Sequence, residues 1–286
     1  MKVQTVSAQV GGKELKLEFG RFSEQANAAV LVTYGDTMVH VTTVMGKSDT
    51  TLSYFPLSVD FAEKLYAGGK IKGSRWVKRD GRPSDEAILK GRIIDRSIRP
   101  LFPKNVKRDV QVIATVLSAD GENDADMPAL VATSAALTIS NIPWEGPIAG
   151  VRVGMIDGAY VANPTYEQRK NSKLDLVVSG SKAAIVMVEA GANEVTEEET
   201  LGGLQFAHDE IKKIIVSIEE LQAKVGQKKL EFPVVETIPA ELVKEVAEKV
   251  RADLAKKLGI PGCEDGLVEG FVEALKDSYL EKLDGK

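Results

Sequence analysis

The apolar residues of this 286-residue chain change period repeatedly, from two to 3.6 and back, and that alternation restricts the fold more than any other feature. Residues 3–10, 14–19, 28–32 and 38–44 alternate polar and apolar as strands do, and Gly35-Asp36 between two β-branched runs predicts a hairpin. Another strand is expected over 53–61, where Pro56 argues for an edge or a bend. Residues 67–74, rich in Gly and Lys, read as a loop. The pattern turns helical over 84–98, with Asp85 and Glu86 in the first turn, where the positive end of the helix dipole favours carboxylates. A strand follows at 110–117, then an Ala- and Leu-rich buried helix at 126–139, ended by Asn141 and Pro143. Strands are expected at 148–156, 174–178 and 184–189, the last two joined by a turn at Ser179-Gly180-Ser181. Thr196 and Glu199 have capping-box spacing and open a long helix toward Lys224. Strands interrupted by helices, with hairpins among them, predict an α+β fold with a mixed sheet.

After Phe232-Pro233 the texture changes. Val243, Val246, Val250 and Leu254 recur at helical spacing, and a second helix is expected over 266–283 with no strand between. The chain therefore reads as a mixed-sheet domain over 1–230 followed by an all-α helical segment over 231–286. Two helices bury little by themselves, so that segment is expected to be an incomplete part of a longer parent.

Charge is distributed unevenly. The formal net charge is -5, yet residues 70–108 carry 13 Lys or Arg against 4 Asp or Glu, a local excess of +9 that leaves -14 on the remainder. Concentrated positive charge on an acidic protein suits a localised polyanion site, and a solvated loop is the competing reading. The single cysteine, Cys263, cannot form an intrachain disulfide, which fits a reducing compartment or simple disuse. There is no basic stretch followed by an apolar run at the N-terminus, and no stretch is apolar enough to span a bilayer, so a cytoplasmic, non-membrane protein is expected. His40 lies in an alternating strand and His208 in the long helix, without a second ligand nearby, so ordinary structural placement is expected of both.

The informative stretch is GRPSDEAILKGRIIDRSIRPLFP, residues 81–103. On a helix Arg92, Arg96 and Arg99 share one face, while Ala87, Gly91, Ile94 and Ile98 lie roughly opposite. Guanidinium forks match phosphate oxygens, and one helix turn, about 5.4 Å, is comparable with the phosphate spacing of a nucleic-acid strand. The competing reading is that Asp95 and nearby carboxylates neutralise these arginines. The preceding loop sets Trp76 among Arg75, Lys78, Arg79 and Arg82. Aromatic faces stack on unpaired bases while flanking cations hold the backbone, although Trp76 could equally be a core residue.

These runs, with FGRFSEQANAAVLVTYGDTMVHVTT (19–43) and LSADGENDADMPALVATSAAL (117–137), resemble the first ribonuclease-PH-type domain of the bacterial polynucleotide phosphorylase family. The resemblance extends over about the first 230 residues, and the helices after it look like that family's helical linker. It implies a ribonuclease-PH-like (ribosomal protein S5 domain 2-like) fold and a 3'-to-5' phosphorolytic exoribonuclease, a polyribonucleotide nucleotidyltransferase engaged in mRNA degradation. In that family inorganic phosphate attacks the RNA end with magnesium present and nucleoside diphosphates leave, inside a trimeric ring for which partners in RNA-degradation complexes are expected. Trp76, Lys78, Arg79 and Arg82 match the family's channel constriction, with Arg75 inserted and only one aromatic retained. Arg92, Arg96 and Arg99 are expected to line the path for single-stranded RNA.

Chemistry in the family belongs to a second repeat, where serines bind phosphate and two aspartates and a lysine hold the metal and assist catalysis. At the corresponding places this chain has Glu122-Asn123-Asp124-Ala125-Asp126, then Arg169, Asp175 and Val177. Carboxylates repel phosphate and valine supplies neither proton nor charge, so the repeat is expected to be catalytically silent and to bind neither magnesium nor phosphate itself. Two other readings remain: a stand-alone, non-catalytic RNA-binding scaffold subunit of an exosome-like ring, and a self-sufficient ribonuclease-PH-type enzyme acting on transfer RNA ends, against which the missing serines and lysine weigh.

Overall fold

A computed structural model of the chain describes residues 2–52, 54–71, 73 and 81–232, together with Lys244 and Glu248. The chain divides into two compact units, Met1–Pro233 and Val234–Lys286, and the elements below belong to the first. The helices expected beyond residue 240 lie outside the described residues, as do Cys263, Trp76, Lys78 and Arg79.

Alternation at the N-terminus produces two hairpins. Strand β1 (Gln4–Val10) pairs antiparallel with β2 (Lys13–Phe19), and β3 (Ala28–Tyr34) with β4 (Thr37–Asp49). At the second turn Gly35 has φ +62°, and a Cβ there would come within 2.6 Å of Asn123 Nδ2, so conformation and space both require glycine. With β5 (Leu57–Glu63) and β6 (Arg108–Ser118) these strands form a six-stranded sheet in the order β1-β2-β3-β4-β6-β5. All pairs are antiparallel except β5 with β6. Strand β5 begins four residues later than expected, because Pro56 precedes it: the Pro56 carbonyl accepts from Val110, and the ladder starts beyond the ring.

The first helix, α1 (Asp85–Ile98), starts where Ser84 accepts the Ala87 amide at 3.1 Å, and buries Ala87, Gly91, Ile94 and Ile98. Helix α2 (Asp126–Ile139) is buried at every position, as a helix apolar all round must be. A second sheet contains β7 (Ala149–Ile156), β8 (Ala159–Ala162), β9 (Leu174–Gly180) and β10 (Ile185–Ala192), all antiparallel in the order β10-β9-β7-β8. Two short elements were not expected from periodicity: β8, and helix α3 (Tyr166–Lys170), which the Thr165 and Gln168 capping box starts. Helix α4 (Glu197–Val225) has the expected capping box at Thr196 and Glu199.

Helices α1, α2 and α4 each touch both sheets, so one apolar core runs from sheet to helix to sheet. Helix α1 also shields the open edge of β5. A Cβ on Gly91 would lie 3.3 Å from the Val59 carbonyl, and the Arg99 guanidinium donates to the carbonyls of Phe55 and Leu57 at 3.2 and 3.1 Å. An edge covered in this way offers no template for another strand.

Candidate functional site

Helix α1 separates two differently charged hollows. Along one flank, between α1 and β5, two adjoining cavities of about 550 and 340 Å³ share Asp60, Phe61, Pro83 and Ala87. Arg82 lines the first, and Arg92 and Arg99 line the second. The floor is apolar, with Leu57, Val59, Phe61, Pro83 and Ala87. No ion pair or hydrogen bond joins Arg82 or Arg92 to another described residue, and both are exposed.

The expected row of three equivalent arginines is therefore divided. Arg99 is held by both oxygens of Asp95 at 2.7 and 3.0 Å, in addition to the β5 carbonyls, so its fork is filled by the protein itself. Arg96 turns toward β10 and meets Glu189 at 3.4 Å, an exposed pair of little energetic weight. Arg92 and Arg82 have no such partner among the described residues.

On the other flank of α1, a cleft of about 590 Å³ contains Lys90, Asp124, Asp126, Arg152, Tyr166, Arg169 and Asp175. The chain delivers these groups from six places, with Lys90 supplied by α1. Asp120 accepts the amides of Glu122 and Asn123 at 2.8 Å each, and Thr37 donates to the Asn123 carbonyl at 3.2 Å, fixing the loop that carries Asp124. Those bonds hold the Asp120 carboxyl down at about 2, against the effect of partial burial. Asp126 opens α2, Arg152 projects from β7, Arg169 from α3 and Asp175 from β9.

The cations and carboxylates then close on one another. Lys90 meets Asp124 at 3.1 Å; Arg169 meets Asp124 at 3.1 Å and Asp175 at 3.0 Å; Arg152 meets Asp175 at 2.6 Å and Asp126 at 2.5 Å. Three positive groups face three negative ones, and each has a partner. Burial works against charge on Lys90 and Arg152, yet the facing aspartates raise both above their ordinary values. Burial would lift Asp124 too, but Lys90, Arg152 and Arg169 hold it low. Burial and the nearby Asp124 charge push the Tyr166 hydroxyl up to about 12. Among the described residues no group of three potential ligands could hold a metal ion.

Sequence reasoning placed Asp124, Asp126, Arg169 and Asp175 near one another and missed Lys90, Arg152 and Tyr166. A signal for Arg152 existed: a charge inside the run Ala149–Ile156 must find a partner. Val177 is buried with Ile93, Met127 and Met187, so it packs beneath the cleft and takes no part in its charge. His40 bonds Ser23 Oγ at 2.9 Å and His208 the Ser181 carbonyl at 3.0 Å.

The sequence itself matches known proteins. Residues 11–143 match domain 1 of the 3' exoribonuclease family, and residues 146–210 match domain 2. The chain is 49% identical over 257 residues to polyribonucleotide nucleotidyltransferase 1 of Alkaliphilus metalliredigens, covering 90% of this chain and 36% of that protein. It is 48% identical over 280 residues to polyribonucleotide nucleotidyltransferase of Geobacillus kaustophilus, covering 98% and 38%. The relative from Halothermothrix orenii is 48% identical over 252 residues, covering 88% and 36%. The chain thus spans little more than a third of the length of these curated relatives. With both domain models matched in order and nearly half of the residues shared over nine-tenths of its length, the chain belongs to the 3' exoribonuclease (ribonuclease PH) family, as a segment of the polyribonucleotide nucleotidyltransferase type.

Proposed function

We propose that this chain holds single-stranded RNA along the α1–β5 groove, as the RNA-gripping and ring-forming part of a phosphorolytic 3'-to-5' exoribonuclease, and performs no chemistry itself. The observation that carries the reading is the pair of guanidiniums, Arg82 and Arg92, which have no partner among the described residues and stand over an apolar floor. Phosphate oxygens can take the donors that no described carboxylate has filled, while bases lie against Phe61, Pro83 and Ala87.

The silence of the chain follows from the opposite arrangement. A phosphate ion approaching the 590 Å³ cleft meets cations already neutralised by Asp124, Asp126 and Asp175. Magnesium does not fit there either, because those carboxylates are engaged by Lys90, Arg152 and Arg169 at 2.5–3.1 Å. Phosphorolysis, with its phosphate and magnesium, then falls to other parts of the whole protein, a cytoplasmic homotrimer in this reading. Among the described residues no helix is long and apolar enough to cross a membrane.

The test is fluorescence anisotropy with a labelled RNA dodecamer. Replacing Arg82 and Arg92 together by alanine is expected to weaken binding about tenfold and to lower the slope of log K against log salt by roughly 1.4, about 0.7 for each lost phosphate contact. Unchanged affinity and slope in that variant would remove RNA from the groove.

A further inference from the structure

The groove is asymmetric across its width. On the α1 side stand Arg92 of the helix and Arg82 of the segment leading into it, neither with a hydrogen-bond or ion-pair partner among the described residues. The β5 side carries Lys64, which has a partner of its own, and two carboxylates that differ from each other. Glu63 is occupied, accepting from Ser84 at 3.2 Å and Lys90 at 3.1 Å. Asp60 is exposed, makes no ion pair with any described residue, and receives only a long hydrogen bond of 3.4 Å from Gln111 Nε2. It also lines both cavities, so a strand lying in the groove must pass it.

A free carboxylate in a polyanion site repels backbone phosphates and at the same time accepts hydrogen bonds from base edges. With the open guanidiniums of Arg82 and Arg92 across the groove and Lys64 already engaged, the two effects agree in direction: the backbone is drawn toward α1, and the bases are turned toward β5. We propose that Asp60 is a specificity-determining residue of this groove, accepting hydrogen bonds from the Watson–Crick edge of a base and favouring guanine. Guanine presents two adjacent donors, N1–H and the 2-amino group, to the two oxygens of one carboxylate. Uracil offers the single N3–H beside two carbonyl oxygens that a carboxylate repels. Adenine and cytosine each present one exocyclic amino group beside an acceptor nitrogen. This inference rests on the RNA-binding reading above and adds to it a side of the groove and a preferred base.

The experiment compares two labelled dodecamers on the whole 286-residue chain, one all uridine and one with four isolated guanosines among uridines. The unsubstituted chain is expected to prefer the guanosine RNA by about fivefold or more, the lower range for one bidentate contact. Asp60→Asn and Asp60→Ala should erase that preference while leaving uridine affinity the same or slightly tighter. Replacing the guanosines by inosine, which lacks the 2-amino group, should remove most of the preference without any change in the protein. Because Asp60 is exposed and forms no ion pair with a described residue, both variants are expected to unfold at the temperature of the parent chain. Equal binding of the two RNAs by the parent chain, or a preference that survives both substitutions, overturns the role of Asp60 and leaves RNA binding intact. If the parent chain binds neither RNA, the RNA-binding reading itself fails and this inference falls with it.

Discussion

Lys90 and Arg92 are two residues apart on one helix, about 200° around its axis, and they meet opposite fates. Lys90 lines the 590 Å³ cleft, where it meets Asp124 at 3.1 Å, and it also meets Glu63, at the end of β5, at 3.1 Å. Arg92 points into the α1–β5 groove, where no described carboxylate pairs with it. The two hollows are both rich in basic side chains, and what separates them is the provision of partners by the chain itself. A cation whose donors are filled stabilises the fold; one whose donors are left open attracts a ligand.

Substitutions should separate the two sides cleanly. The largest effect belongs to Arg152→Met, which strands Asp126, 1% exposed, without its partner. A loss of about 3 kcal/mol or more is expected, read as a fall in thermal midpoint of roughly 10 °C, with RNA affinity unchanged. Arg82→Ala with Arg92→Ala should do the reverse, lowering RNA affinity about tenfold while the midpoint stays put. Arg99→Met lies between them, since Arg99 lines the groove but bonds Asp95 and two β5 carbonyls. It should cost about 1 kcal/mol in chemical denaturation and affect RNA binding less than Arg92→Ala. If Arg99→Met weakens binding as strongly as Arg92→Ala, the division of the arginine row is wrong.

The smallest effect concerns acid. A carboxyl held at about 2, below its ordinary 3.8, contributes stability above 3.8 that is lost as pH falls through 2. Asp120→Asn should therefore flatten part of the decline in stability between roughly pH 4 and 2. An acid limb identical in both proteins would mean that the Asp120 turn does not anchor the loop carrying Asp124.

Much of this fold is written in local pattern, and the exceptions have physical causes. The hairpin at Gly35, the wholly buried α2 and the capped α4 follow from rules acting within a few residues. Strand β8, four residues long, is too short to show a period, and α3 is five residues with only its capping box as a signal. In the site, the shared face of Arg92, Arg96 and Arg99 follows from helix geometry, and the Asp95 to Arg99 pair follows from the i,i+4 rule. The Arg96 partner, Glu189, comes from 93 residues away, and the closure of Lys90 on Asp124 depends on tertiary placement. Which basic residues remain free is a property of the folded chain, and no local rule reports it.

The central claim is a chain that grips RNA and leaves the chemistry undone, and one incubation tests it most directly. End-labelled oligoadenylate is mixed with the 286-residue protein, inorganic phosphate and magnesium, and both bound RNA and released nucleoside diphosphate are measured. The RNA is expected to be bound through Arg82 and Arg92 and not shortened, with the charge-closed cleft inert. Phosphate-dependent release of ADP, abolished by Asp124→Ala or Asp175→Ala, would contradict it.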